Sequence, residues 1–112
     1  MSTEPAHEVT LQECFTGILT AGQRLRNALD LEHSLSQQLD SEPGDPSLPF
    51  QLQIARHQTE MAFEQYNQSV RYCAKAAAEN NWTLAKHPRF WSRVATAVAH
   101  PFRGRRQRYY PA

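Results

Sequence analysis

The sequence lacks long apolar runs, has few glycines and cysteines, and carries no acid in its last 32 residues. No stretch approaches the roughly 20 apolar residues that a membrane span needs. The four glycines are too few for a phosphate-binding loop, and the two cysteines fit neither a disulfide framework nor a zinc-binding spacing. Because residues 1–8 are polar and acidic, unlike a signal peptide, we expect a cytoplasmic protein.

Groupings that indicate an enzyme are also missing from the sequence. It contains no Ser/His/Asp grouping and no dinucleotide-binding fingerprint. A carboxylate–histidine group does occur, but its one His-x-x-Glu runs opposite to the order found in metal sites of helical bundles. Surface ion pairing explains this group better, so we expect no metal, no cofactor and no enzymatic activity. The group comprises Glu32, His33, His57, Glu60 and Glu64.

The missing acids split the charge of the chain into two parts. Residues 1–80 hold all eleven acids and five bases, whereas residues 81–112 hold seven bases and no acid. The net charge of +1 therefore conceals a body of about −6 and a tail of about +7. Such asymmetry indicates an anionic partner.

Helical periodicity is what the sequence has in abundance, and it predicts an all-α fold. Thr10 begins a capping box, and we expect the first helix to run to about Asp40. The segment 41–49 holds three prolines and a glycine, which interrupt the helix. Ser47 is the predicted N-cap of a second helix that ends near Asn81. Two helices of about 30 residues with a short break predict an antiparallel, coiled-coil-like hairpin.

Four segments follow from this pattern. Pro88 and Pro101 bracket a short third helix, Pro88 to Ala99, because proline suits a first turn and stops a continuing helix. The predicted segments are a polar N-terminal stretch at 1–9, the hairpin at 10–81, a short helical segment at 82–100 and a basic aromatic arm at 101–112.

The heptad pattern predicts how the two long helices pair. Large residues mostly face small ones, which favours close packing. Glu32 is a charge in this seam, and we expect it to pair with Arg56 or His57. The two cysteines are expected to be neighbouring, reduced thiols. The predicted layers are Leu35 with Leu52, Glu32 with Ala55, Ala28 with Thr59, Leu25 with Ala62, Ala21 with Tyr66, Ile18 with Ser69, Cys14 with Cys73 and Leu11 with Ala76.

A second apolar row, here called the apolar stripe, lies beside this seam and needs a cover. Its large members are Phe15, Leu29, Phe63 and Val70. Either the third helix covers it, or a second copy of the chain does so in a four-helix bundle. We expect a homodimer that completes the bundle. The predicted interface residues are Phe15, Leu29, Phe63, Val70, Phe90 and Trp91.

The basic arm carries the functional prediction. Arginine forks bind phosphates, and tyrosine rings stack on unpaired bases. We therefore expect a small non-enzymatic nucleic-acid-binding accessory protein. The alternative is a protein–protein interaction module, such as an adaptor, an inhibitor or a secretion or transfer accessory. It would bind through the apolar or acidic face of the hairpin, or dock the arm on an acidic protein surface. The predicted nucleic-acid contacts are Arg89, Arg93, Arg103, Arg105, Arg106, Arg108, Tyr109 and Tyr110.

Overall fold

The computed structural model describes residues 10–102, in which three α-helices and no strand are found. Helix α1 spans Leu11–Ser41, α2 spans Ser47–Glu79 and α3 spans Pro88–Ala99, and a 3₁₀ turn follows at His100–Phe102. The predicted all-α fold, with its long hairpin and short third helix, is confirmed. The N-terminal stretch at 1–9 and the arm beyond Phe102 lie outside the described residues.

The two long helices begin on different capping devices. At α1 the capping box is confirmed: Glu13 N–H donates to Thr10 Oγ1 at 3.0 Å, and Thr10 N–H donates to Glu13 Oε1 at 3.1 Å. At α2 the prediction that Ser47 is the N-cap is wrong. Ser47 is the first helical residue, and its N–H donates to Asp45 Oδ1 at 2.9 Å. The N-cap is Pro46, which has no capping side chain, and the carboxylate of Asp45 before it accepts the first N–H of the helix.

Three contacts show that the predicted register of the hairpin is correct. Thr59 Oγ1 donates to the Ala28 carbonyl at 3.3 Å, which places these two residues in one layer. Arg56 Nε lies 3.7 Å from Glu32 Oε2, as expected for a charge in the neighbouring layer. Near the other end, Cys14 and Cys73 are both buried in one core cluster, and interaction with the Cys73 thiol helps to raise the pKa of Cys14.

The core is divided unequally along the hairpin. We take the layer of Ala28 and Thr59 as a boundary: the loop half is residues 29–58, and the open half is residues 10–28 and 59–102. The loop half buries a small cluster: Leu35, Leu48, Leu52 and Ala55. The open half buries a larger one, which draws on all three helices: Cys14, Ile18, Ala21, Leu25, Tyr66, Cys73, Ala76, Val94 and Ala97.

Helix α3 and the 3₁₀ turn pack along the apolar stripe, as in the first of the two predicted alternatives, although Phe63 remains 41% exposed. The partly buried residues against the large core include Phe15, Leu29 and Val70 from the stripe, with Phe90 and Trp91 from α3. The six residues predicted to form an interface between copies thus make contacts within one chain; the ring centroid of the sixth, Phe63, lies 6.2 Å from that of Phe102.

The folded body extends further towards the C-terminus than the predicted arm boundary allows. Pro101 is fully buried, and its Cγ lies 3.0 Å from where a Cβ on Gly22 would sit. The Phe102 ring lies 6.0 Å, centroid to centroid, from the Tyr66 ring. Pro101 and Phe102, the first two residues of the predicted arm, therefore pack with the core, and the rest of the arm, residues 103–112, lies outside the described residues.

Candidate functional site

Helix α3 presents two different faces. Val94 and Ala97 are buried against the hairpin. The outer face repeats with helical spacing and includes both arginines that were predicted to contact phosphates; its residues are Arg89, Arg93, Thr96 and His100. Arg89 and Arg93 are exposed, so their guanidinium groups are accessible to a partner.

An open groove of about 540 Å³ runs between this face and α1. Among the residues that the structure describes, no carboxylate lines it. Its basic groups, Arg93 and His100, both come from the α3 side. The groove is suited to an anionic ligand with an apolar portion. Its lining residues are Phe15, Leu19, Thr20, Gln23, Ser92, Arg93, Thr96, Ala97 and His100.

Arg93 is held in place at the groove by an aromatic ring. Its guanidinium carbon lies 4.2 Å from the centroid of Phe15, which is the geometry of a cation–π contact. Such stacking leaves the edge N–H groups of the guanidinium directed outwards, where they can donate to phosphate oxygens. Phe15, predicted as an interface residue, instead supports a candidate binding residue within the same chain.

Three hydrogen bonds fix the position of α3. Tyr66 Oη donates to the Val98 carbonyl, and burial of this phenol raises the pKa of Tyr66. Arg26 Nη1 donates to the His100 carbonyl at 3.3 Å. Trp91 Nε1 donates to the Trp82 carbonyl at 3.0 Å, which ties α3 to the preceding connection. The groove is therefore formed by elements held against each other, which limits the cost of ordering on binding.

Charge separates along the hairpin once the chain is folded. The loop half contains five acids and one base, a net charge of −4, whereas the described open half contains four acids and seven bases, a net charge of +3. The chain passes from the open half into residues 103–112, which contain four more arginines. The positive excess of the open half comes from Lys86, Arg89 and Arg93, which belong to the basic part of the sequence and pack at this end of the hairpin.

The structure describes only two of the eight residues predicted to contact nucleic acid. Arg89 and Arg93 lie together on the outer face of α3. The remaining predicted contacts, Arg103, Arg105, Arg106, Arg108, Tyr109 and Tyr110, lie outside the described residues. Sequence reasoning missed the α1 side of the groove, including Leu19 and Gln23, because its heptad assignment treated these positions as solvent-facing. The spacing of Arg89, Arg93, Thr96 and His100 was a signal for the α3 side.

The cysteines and the carboxylate–histidine group form no comparable site. Burial, and then the hydrogen bond and charge interaction with Cys73, raise the pKa of Cys14 to about 12, so its thiol is protonated at neutral pH and suits packing better than nucleophilic attack. His57 Nδ1 lies 3.9 Å from Glu60 Oε1 on an exposed surface. Within residues 10–102 no group of three or more His, Cys, Asp or Glu residues could hold a metal ion.

The interpretation of these surfaces depends on their physical chemistry. Comparisons with protein-family models, curated proteins and solved structures found no match to this chain. None of the helices in the described range is long and apolar enough to cross a membrane. The groove and the charge separation are therefore the features from which function is inferred.

Proposed function

We propose that this protein is a small, non-enzymatic nucleic-acid-binding accessory protein that acts in the cytoplasm. The observation that supports the proposal is the charge separation along the folded hairpin. Seven bases lie in the described open half, and four arginines follow it directly in residues 103–112. A polyanion would meet an attractive field at this end and a repulsive one at the loop half.

The groove and residues 103–112 have complementary parts in this proposal. Arg89 and Arg93 receive phosphates at the rim of a preformed surface, whereas the four arginines of residues 103–112 supply most of the counterion release. The apolar wall of the groove around Phe15 and Leu19 accepts an unpaired base, and Tyr109 and Tyr110 stack on others. Single strands are therefore expected to bind more tightly than duplexes of equal length.

A salt titration tests the proposal. Each phosphate contact to a single strand contributes a slope of roughly −0.7 in a plot of log K against log salt concentration. Truncation after Phe102 removes four arginines and should make the slope shallower by roughly 3, while it leaves the buried Pro101 and the Phe102 ring in place. Truncation after His100 is unsuitable, because it would also remove two core residues.

Matched arginine variants provide the control. Arg93→Gln should make the slope shallower by roughly 0.7, because a single phosphate contact is lost. Arg56→Gln changes the charge by the same amount in the acidic loop half and should leave the slope unchanged. If neither single strands nor duplexes bind at low salt, the nucleic-acid proposal is wrong.

The alternative function, a protein–protein interaction module, is favoured by the loop half. Its net charge of −4 and its small core leave an acidic surface that a basic protein patch would fit. In that case residues 103–112 would dock on an acidic protein surface. Charge reversal at Glu42 and Asp45 would then abolish binding of the protein partner, whereas it would strengthen binding of a polyanion.

A further inference from the structure

Four large apolar or aromatic side chains lie in a row on the outer side of α2. They are Phe50, Ile54, Met61 and Tyr72, with exposed fractions of 66%, 45%, 51% and 56%. At 100° per residue these positions fall within about 40° of arc, and the row is about 33 Å long. We call this row the α2 face.

The α2 face points away from everything that the rest of the described chain packs on. Most of the residues that α2 buries, among them Leu52, Ala55, Tyr66 and Cys73, lie roughly 120° to 180° around the helix from it. The α2 face is also distinct from the apolar stripe, most of which packs within the chain. Aromatic and methionine side chains are enriched in protein interfaces, which makes this row a candidate docking surface.

We propose that the partner is a second copy of the chain, with the two α2 helices antiparallel about a two-fold axis at Met61. A two-fold interface requires one surface to match itself after rotation. The α2 face meets this requirement, because its aromatic ends are equally far from its centre. Met61 then faces Met61 of the second copy, and Phe50 faces Tyr72 of the second copy.

Charged residues near the two ends of α2 favour a second copy as the partner, and they favour the antiparallel orientation of the two α2 helices. An antiparallel pair places the loop of one copy, residues 42–46, beside the C-terminal part of α2 of the other. Lys75 and Arg71 near the end of α2 come close to Asp45 and Glu42 in the loop of the second copy. A parallel pair would place like charges together, which is costly at an interface.

The size of the row sets the expected strength. One helix face about 33 Å long is smaller than the roughly 800 Å² per partner of a standard interface. The dimer should therefore depend on concentration in the micromolar range rather than be permanent. This inference does not depend on the proposed function, because the α2 face contains none of the proposed nucleic-acid contacts.

Sedimentation equilibrium of the full chain, from about 1 to several hundred micromolar, tests the proposal. Met61→Glu should raise the dissociation constant by roughly a hundredfold, since it brings two carboxylates together on the axis. Met61→Lys should do the same. A 1:1 mixture of the two variants should associate again, because Glu then faces Lys. This rescue is specific to a two-fold axis at residue 61.

Two controls keep the test decisive. Ala74 is exposed on another side of α2, so Ala74→Glu and Ala74→Lys should leave the dissociation constant unchanged. Circular dichroism should show that all four variants keep the wild-type helical signal. A wild type that stays monomeric throughout, or association that survives Met61→Glu, would overturn the proposal. Failure of the mixture to associate would overturn the two-fold arrangement.

Discussion

The open half and the loop half are built from the same two helices but are stabilised differently. In the open half α3 and the 3₁₀ turn add a third layer, which buries Val94, Ala97 and Pro101 against the hairpin. In the loop half only α1 and α2 pack together, around a cluster centred on Leu35 and Leu52. The acids concentrate where the core is thin, and the bases where it is thick.

This difference separates an end that is held rigid from an end that opens more readily. A groove positioned by three packed elements can hold Arg93 and His100 at fixed distances, whereas a two-helix segment with a small core opens locally at lower free energy. The open half therefore combines rigidity with positive charge, and a preorganised phosphate site would require both.

The largest expected effect comes from truncating a core leucine in each half. Leu25 is fully buried in the open half, and Leu25→Ala should lower the free energy of unfolding by about 4 kcal/mol. Leu52→Ala in the loop half should cost about 2 kcal/mol, because the small cluster around it can collapse into the space that is created. Urea unfolding followed by circular dichroism measures both values. Equal losses would show that the halves do not differ in packing.

A pH titration probes the open half alone, since the buried thiol pair lies there. The unfolded chain ionises Cys14 near the ordinary pKa of 9.0, whereas the folded chain holds it protonated to about pH 12. The contribution of this thiol is complete below pH 9 and is lost as the pH rises to about 12. Each pH unit in that window should lower the free energy of unfolding by up to about 1.4 kcal/mol.

Cys14→Ala is the control for this titration. Its stability at pH 7 should be lower, but its loss per pH unit between 9 and 12 should be shallower than that of the wild type. The raised pKa of Tyr66 acts in the same direction at higher pH, so some slope should remain. Parallel curves for the two proteins would contradict the assignment of the pH dependence to Cys14.

Local and periodic signals in the sequence predicted the helices of both halves and the register in which they pair. The capping box at Thr10, the prolines of the loop and the heptads gave the helices and the register, because each depends on neighbours in sequence or on one repeating pattern. The N-cap of α2 was misassigned because Ser47 and Asp45 are both good capping residues, and only the turn geometry separates them.

The candidate site was less accessible to sequence reasoning. Two covers for the apolar stripe were equally consistent with the pattern, since periodicity identifies an apolar face without identifying what packs on it. The groove depends on the angle at which α3 lies across α1, and no local signal encodes that angle. The sequence analysis placed the start of the arm at Pro101, because proline stops a helix. In the structure the Pro101 ring packs beside Gly22.

Two glycines of α1 provide a direct test of whether the 3₁₀ turn packs on the hairpin. A Cβ at Gly17 would meet no heavy atom of the described residues within 4 Å beyond its own helix backbone and chain neighbours, so Gly17→Ala should add about 1 kcal/mol through helix propensity. At Gly22 the new Cβ would lie 3.0 Å from Pro101 Cγ, so Gly22→Ala should gain less or destabilise. Thermal unfolding measures both. Equal gains would mean that the 3₁₀ turn does not pack on Gly22.

The smallest expected effect is that of the ion pair in the loop half. Arg56 Nε and Glu32 Oε2 lie 3.7 Å apart, and the two side chains are 62% and 29% exposed, so solvent screens their attraction. A double-mutant cycle with Glu32→Gln and Arg56→Gln should give a coupling energy of about 0.5 kcal/mol that falls with added salt. A salt-independent coupling above about 2 kcal/mol would show a desolvated pair instead.

A weak coupling leaves Glu32 as a polar group in the seam opposite Ala55, where a leucine would bury more apolar surface. Glu32→Leu should then match or exceed the wild type in stability, and this would attribute part of the weakness of the loop half to one seam residue.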